Sequence, residues 1–160
     1  MDVVDRVTEQ WAQEKPELKT EPMAIMGRIL RIAKHMENEV AKLHKRYGLK
    51  FGEFDVLATL RRSGEPFSLT PSALMGSMLL TSGAMTNRLD KLESKGLIAR
   101  THSKEDRRSV SVKLTQEGTK LIDEMMQVHV DLQHSLIKGM SPKQKTELNQ
   151  YLKVCLAEFE

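Results

Sequence analysis

Residues 99–112 read ARTHSKEDRRSVSV. Two short β-prone runs flank a knot of charge formed by Lys104, Glu105, Asp106, Arg107 and Arg108. Beyond the knot, Val110, Val112 and Leu114 alternate with Ser109, Ser111 and Lys113, the period of two that marks a strand with one buried face. With LIART at 97–101, the pattern predicts a hairpin with a charged loop. Most of the remaining chain repeats at helical spacing. A lone charged hairpin in a helical protein is either a solvated turn or a grip for something anionic.

Working outward, the residues before the hairpin predict a helix-turn-helix. In SLTPSALMGSMLLTSGAMTNRLDKLESKG, a first helix starts near Thr70 with Pro71 at N1 and runs to about Gly76. A second, N-capped by Thr81, ends at Gly96. KFGEFDVLATLRRSG supplies a preceding helix closed by Gly64 and Pro66. Farther upstream, a long helix starts at Pro22 and ends at Gly48, and a short one covers Asp2 to Gln13 with Val3, Val4, Val7 and Trp11 in one stripe. Downstream, Leu121, Met125, Val128, Leu132 and Leu136 mark a long helix, and Ser141 with Pro142 opens the last one. The expected fold is mainly α with a small β-hairpin wing: a winged helix-turn-helix at 49–114, flanked by helices at 1–48 and 115–160.

Composition narrows the class. The 160 residues are 39% apolar and only 4% aromatic, which disfavours an all-β sandwich. Net charge is +3, so where the basic residues sit matters more than their sum. A single cysteine, Cys155, excludes an internal disulfide and any multi-cysteine zinc site, and it reads as a small buried apolar residue. No apolar run reaches the roughly 20 residues of a membrane span, and the acidic N-terminus is no signal peptide, so a cytoplasmic protein is expected. His35, His44, His102, His129 and His134 show no metal-binding spacing. His35, in the long N-terminal helix, is placed to titrate at an interface. No phosphate loop, nucleophile elbow or metalloprotease motif supports an enzyme, and no cofactor is implied. The methionines of ALMGSMLL read as core filler.

In the helix from Thr81 to Lys95, Met85, Leu89 and Leu92 point inward. Ser82, Gly83, Thr86, Asn87 and Asp90 fall on the other side. Small polar residues let a helix end approach DNA, where Asn pairs with adenine and Thr meets a base edge. In a winged helix this helix enters the major groove, and the hairpin tip reaches phosphate or the minor groove. Lys104, Arg107 and Arg108 are the tip's candidates, with Asp106 as a brace.

NRLDKLESKGLIARTHSKEDRRSVSVKLTQEG resembles the signature of the MarR family of bacterial winged-helix regulators, including Leu114, Thr115 and Gly118 of its closing motif. The likeness covers essentially the whole chain. It implies a homodimer with intertwined terminal helices, seated on double-stranded DNA at a pseudo-palindromic operator. It also implies that Arg107 is the minor-groove arginine and that Ser82, Gly83, Thr86 and Asn87 form the exposed part of the recognition helix.

Asp55 is a carboxylate in an apolar run, which is costly unless paired. Arg88 edges onto the inward face of its helix, and Arg100 begins the wing. Taken by themselves, these three form either a structural ion-pair network or a sensor. The chain is also similar to the urate-responsive branch of the family, whose pattern falls on Trp11, Asp55, Arg88 and Arg100. That similarity implies that Trp11 and Arg88 contact an anionic purine, that Asp55 is repelled by it, and that Arg100 links Asp55 to the DNA-binding lobe. Two alternatives stay open: a regulator answering to phenolic or aromatic anions or to oxidants, and a winged helix that binds another protein.

Overall fold

The computed structural model describes residues 1–79, 85–102 and 110–160. It resolves into two compact units, Met1–Leu43 and His44–Glu160.

The first unit holds α1 (Val3–Glu14) and most of α2 (Glu21–Arg46). Asp2 caps α1 by accepting from the backbone N–H groups of Val4 and Asp5, and Asp5 accepts from Asp2 in return. That reciprocal pair satisfies orphan donors of the first turn. Arg28 of α2 then bridges both carboxylates, Nε to Asp2 at 2.9 Å and Nη2 to Asp5. Val4 is buried against Gly27, whose added Cβ would lie 3.3 Å from Val4 Cγ1. The predicted apolar stripe therefore packs at Val4, while Trp11 is 40% exposed.

The second unit is built on α3 (Phe51–Arg62), β1 (Ser68–Leu69), α4 (Pro71–Ser77), α5 (Met85–Ser94), β2 (Ile98–His102), β3 (Val110–Leu114), α6 (Gln116–Leu136) and α7 (Pro142–Leu156). Four of the expected marks are where the sequence placed them. Thr70 and Ser141 accept from the backbone of Ala73 and Gln144, and Gly48 and Gly96 end their helices at φ near +70°, a region open to glycine without strain. The wing is an antiparallel pair with Arg100 opposite Val112. It is also one strand larger than expected: β1 pairs with β3, giving the order β1-β3-β2. Two residues carry no period, so β1 left no trace in the sequence pattern.

Leu57, Leu60, Leu74, Leu92, Val112 and Ile122 are wholly buried and join α3, α4, α5, the sheet and α6 in one core. Two expectations need correction. Cys155 is exposed, because α7 buries none of its residues within the chain. Of ALMGSMLL only Leu74 is fully buried among the described residues, while Met75 and Leu79 are exposed.

Candidate nucleic-acid interface and effector cleft

The second helix of the helix-turn-helix, α5, divides as the sequence predicts. Met85, Leu89 and Leu92 are buried, while Thr86, Asn87 and Asp90 are exposed. Thr81, Ser82, Gly83, Lys104, Arg107 and Arg108 lie outside the described residues.

Three connections hold α5 in place. At its C-terminal end Lys95 Nζ donates to the Gly48 carbonyl and to Glu53 Oε2, both at 2.8 Å. Burial pushes the Glu53 carboxyl up, but Lys95 and the Lys50 N–H outweigh it and hold the group below its usual range. In the middle, the Arg88 guanidinium lies against Gly52 of α3. On the wing side, Arg100 donates its backbone N–H to Glu93 Oε1 at 3.1 Å and its Nε to Glu93 Oε2 at 2.9 Å. Its Nη2 also reaches Asp90 at 2.7 Å. This corrects an expectation: among the described residues, Arg100 forms its ion pairs with Glu93 and Asp90 rather than with Asp55. Gly96 turns the chain between α5 and β2, so a residue on the stem meets the helix it has just left before it can reach α3.

The wing's base is fixed to α6 at the closing motif. Thr115 Oγ1 donates to the Gly96 carbonyl at 2.7 Å and accepts from the Gly118 N–H at 3.0 Å, capping α6. Gly118 presses on the Leu97 backbone: an added Cβ would fall 1.9 Å from its carbonyl oxygen.

Asp55 is 6% exposed and lines a cleft of about 530 Å³ between α3, the end of α4 and α6. Phe51, Phe54, Met78 and Met126 are among its apolar walls, and Arg62, Ser77, His129, Gln133 and Glu160 join Asp55 as its polar ones. Arg62 donates to Thr59 Oγ1 at 3.2 Å and to the Ser77 carbonyl. Behind His129 stands His44, wholly buried, with His44 Nε2 and His129 Nδ1 3.4 Å apart. Gln133 Nε2 meets His129 Nε2 at 3.1 Å, and Phe54 stacks on the His129 ring and lies tilted against that of His44. Burial, followed by the nearness of His129, lowers the His44 pKa to about 4. Of the four expected effector residues, Asp55 lines this cleft. Arg88 and Arg100 sit on and beside α5, and Trp11 belongs to the first unit.

The family model for MarR matches residues 49–110, from just before α3 to the first residue of β3. Over 149 residues the chain is 36% identical to the HTH-type transcriptional regulator PecS of Dickeya dadantii, covering 93% of this chain and 90% of that one. The chain belongs to the MarR family of winged-helix transcriptional regulators. It is also similar to a MarR mutant from E. coli solved in complex with operator DNA, at a TM-score of 0.71 and 26% identity, over 88% of this chain and 99% of that one. AbsC of Streptomyces coelicolor shares the fold at a TM-score of 0.77 and 20% identity, over 89% of this chain and 96% of that one. Like these MarR-family relatives, the chain is a DNA-binding regulator rather than an enzyme.

Sequence reasoning gave Arg62 and Gln133 no role and weighed His44 and His129 only for metal-binding spacing. His44 and His129 are 85 residues apart, so no local spacing joins them. A basic residue closing α3 was the one available sign for Arg62.

Proposed function

We propose that this MarR-family chain is a homodimeric cytoplasmic repressor released from a pseudo-palindromic operator by urate or a related purine anion. The observation that carries the DNA half is α5 itself. It exposes Thr86 and Asn87 while its opposite side is tied to α3 and its flank to the wing stem. Thr81, Ser82, Gly83, Thr86 and Asn87 then face the major groove. Arg107 reaches the minor groove, and Lys104 and Arg108 take phosphate. The homodimer is supported by the apolar residues that α2 and α7 leave exposed, Leu30, Ile32, Tyr151 and Val154 among them.

For the effector, Trp11 stacks on a flat purine, Arg88 offers a bidentate charged partner, and Asp55 meets the anion's negative charge. Neighbouring positions of α3, Gly52 and Glu53, hold α5. Charge forced against Asp55 strains the helix that positions α5, and Arg100 passes the strain to the wing through Glu93 and Asp90. The outcome is a population shift away from the DNA-competent state. A second reading has its own support: the Phe51–Phe54–Met126 walls with Arg62 suit a smaller aromatic or phenolic anion.

The test is affinity for DNA from upstream of the chain's own coding sequence, measured across salt and then against urate. A negative slope of log K on log salt is expected, and a flat one removes the DNA contact. Millimolar urate should release the DNA. If salicylate releases it and urate does not, the second reading replaces the first. Arg107→Ala should weaken binding across sequences, whereas full retention of activity favours a protein partner.

A further inference from the structure

Gly52 stands in the first turn of α3, where glycine is about 1 kcal/mol worse than alanine for a helix. Its φ lies outside the left-handed region that Gly48, Gly64 and Gly96 occupy. Backbone freedom therefore does not explain it; space does. An added Cβ would lie 2.4 Å from Nε, 2.6 Å from Cζ and 3.0 Å from Nη2 of Arg88. The guanidinium rests on the bare backbone of α3.

The next residue, Glu53, receives Lys95. Arg88 and Lys95 are seven residues apart, two turns, so they leave α5 on the same side. Thr86 is two residues from Arg88 and points about 160° away. Two consecutive α3 residues thus grip the back of the helix whose front carries Thr86.

We propose that Gly52 is a positioning residue for operator binding: its missing side chain is a seat for the Arg88 guanidinium, and the seat sets the rotation of α5 about its own axis. Filling the seat leaves α5 held by Lys95 at its end and by Arg100 on its wing flank, with no Arg88 seat on α3 at its middle. The helix then rolls, and Thr86 and Asn87 lose their register with the base edges.

The substitution Gly52→Ala is a mild way to fill it. The atoms it displaces are the far end of a flexible side chain, so Arg88 swings away and the fold survives. The experiment uses the full chain and a fluorescein-labelled duplex from upstream of its own coding sequence, with a scrambled duplex as competitor. Gly52→Ala should weaken duplex binding about tenfold, narrow the preference over the scrambled duplex, and leave the melting temperature unchanged or slightly higher. The salt slope should stay as in the parent, because no phosphate contact is lost. In an Arg88→Ala background, Gly52→Ala should add nothing. The proposal is overturned by parental affinity in Gly52→Ala, by an equal loss with and without Arg88, or by a slope smaller by about 0.9, which marks a lost phosphate contact. If Gly52→Ala does not fold, Arg88→Met empties the seat from the other side. It must then show the same loss at an unchanged slope, and parental affinity there overturns the proposal equally.

Discussion

The winged-helix core and the terminal helices use the same kinds of residue to opposite ends. Around α3, α5 and the sheet, Leu57, Leu60, Leu92 and Val112 are wholly buried by the chain's own folding. On α2 and α7, Leu30 is 69% exposed, Ile32 66% and Tyr151 67%. Exposed apolar residues scattered singly need no explanation, but a run of them on one helix, as on α2 and separately on α7, is what the proposed association would use. One region completes its core alone. The other leaves apolar residues uncovered, and these are what the proposed second copy would cover.

The largest effect expected from this contrast is on assembly. Placing a charge in a central apolar anchor costs about 2 kcal/mol or more. Ile32→Glu should therefore raise the dimer dissociation constant by at least about 30-fold, seen by sedimentation. Operator binding should weaken with it, since two half-sites would no longer be held by one particle. The winged-helix core should still melt cooperatively. A variant that sediments as the parent does would break the contrast, because α2 would then be exposed without consequence.

How far each region could be read from residues follows the same division. Helix ends were readable wherever a cap left a chemical mark: Thr70, Ser141, Gly48 and Gly96 are short-range signals that act within one turn. The buried face of α5 was readable because Met85, Leu89 and Leu92 repeat at helical spacing. Strand β1 was not, having two residues and no period. The Arg100 partners were misjudged because the resemblance directed attention to Asp55, while Glu93 stood seven residues away across the Gly96 turn. Cys155 reads as buried by residue type, but α7 buries none of its residues within the chain. The His44–His129 contact has no local signal, since its two residues stand 85 positions apart in the chain.

That contact gives the second prediction. The unfolded His44 takes up a proton near 6.5, whereas the folded one resists until about 4. Between those values the unfolded state binds more protons, so stability rises with pH and is lost as pH falls from 6.5 toward 4. The full swing for this residue is about 3 kcal/mol, with His129 adding in the same direction because burial lowers it too. Urea unfolding at pH 7 and pH 5 should show the loss, and His44→Leu should flatten the profile between pH 6.5 and 4.5. An unchanged slope in that variant would assign the loss to other groups.

Next in size is Gly118→Ala. The new methyl meets the Leu97 carbonyl rather than a movable side chain, so the start of α6 must shift from the wing's base. Forcing volume into such a contact costs about 2 kcal/mol. Denaturant midpoints should fall accordingly, with little change in the transition's steepness. A neutral effect would mean that α6 is free to slide on the sheet.

Thr115 carries the smallest effect and the sharpest contrast. Its hydroxyl caps α6 through the Gly118 N–H and holds the Gly96 carbonyl at the end of α5. Thr115→Val keeps the shape and removes both bonds, for a loss of about 1 kcal/mol; Thr115→Ser keeps both and should lie near the parent. Equal midpoints for the Ser and Val variants would remove the cap from the account. Because every partner in this small network belongs to the same chain, the loss should not depend on protein concentration. The Ile32→Glu loss should appear instead as a removal of concentration dependence from the melting temperature, since dimerisation stabilises by mass action. Measuring both variants over a dilution series therefore separates a core that a chain closes by itself from a surface that needs a second copy.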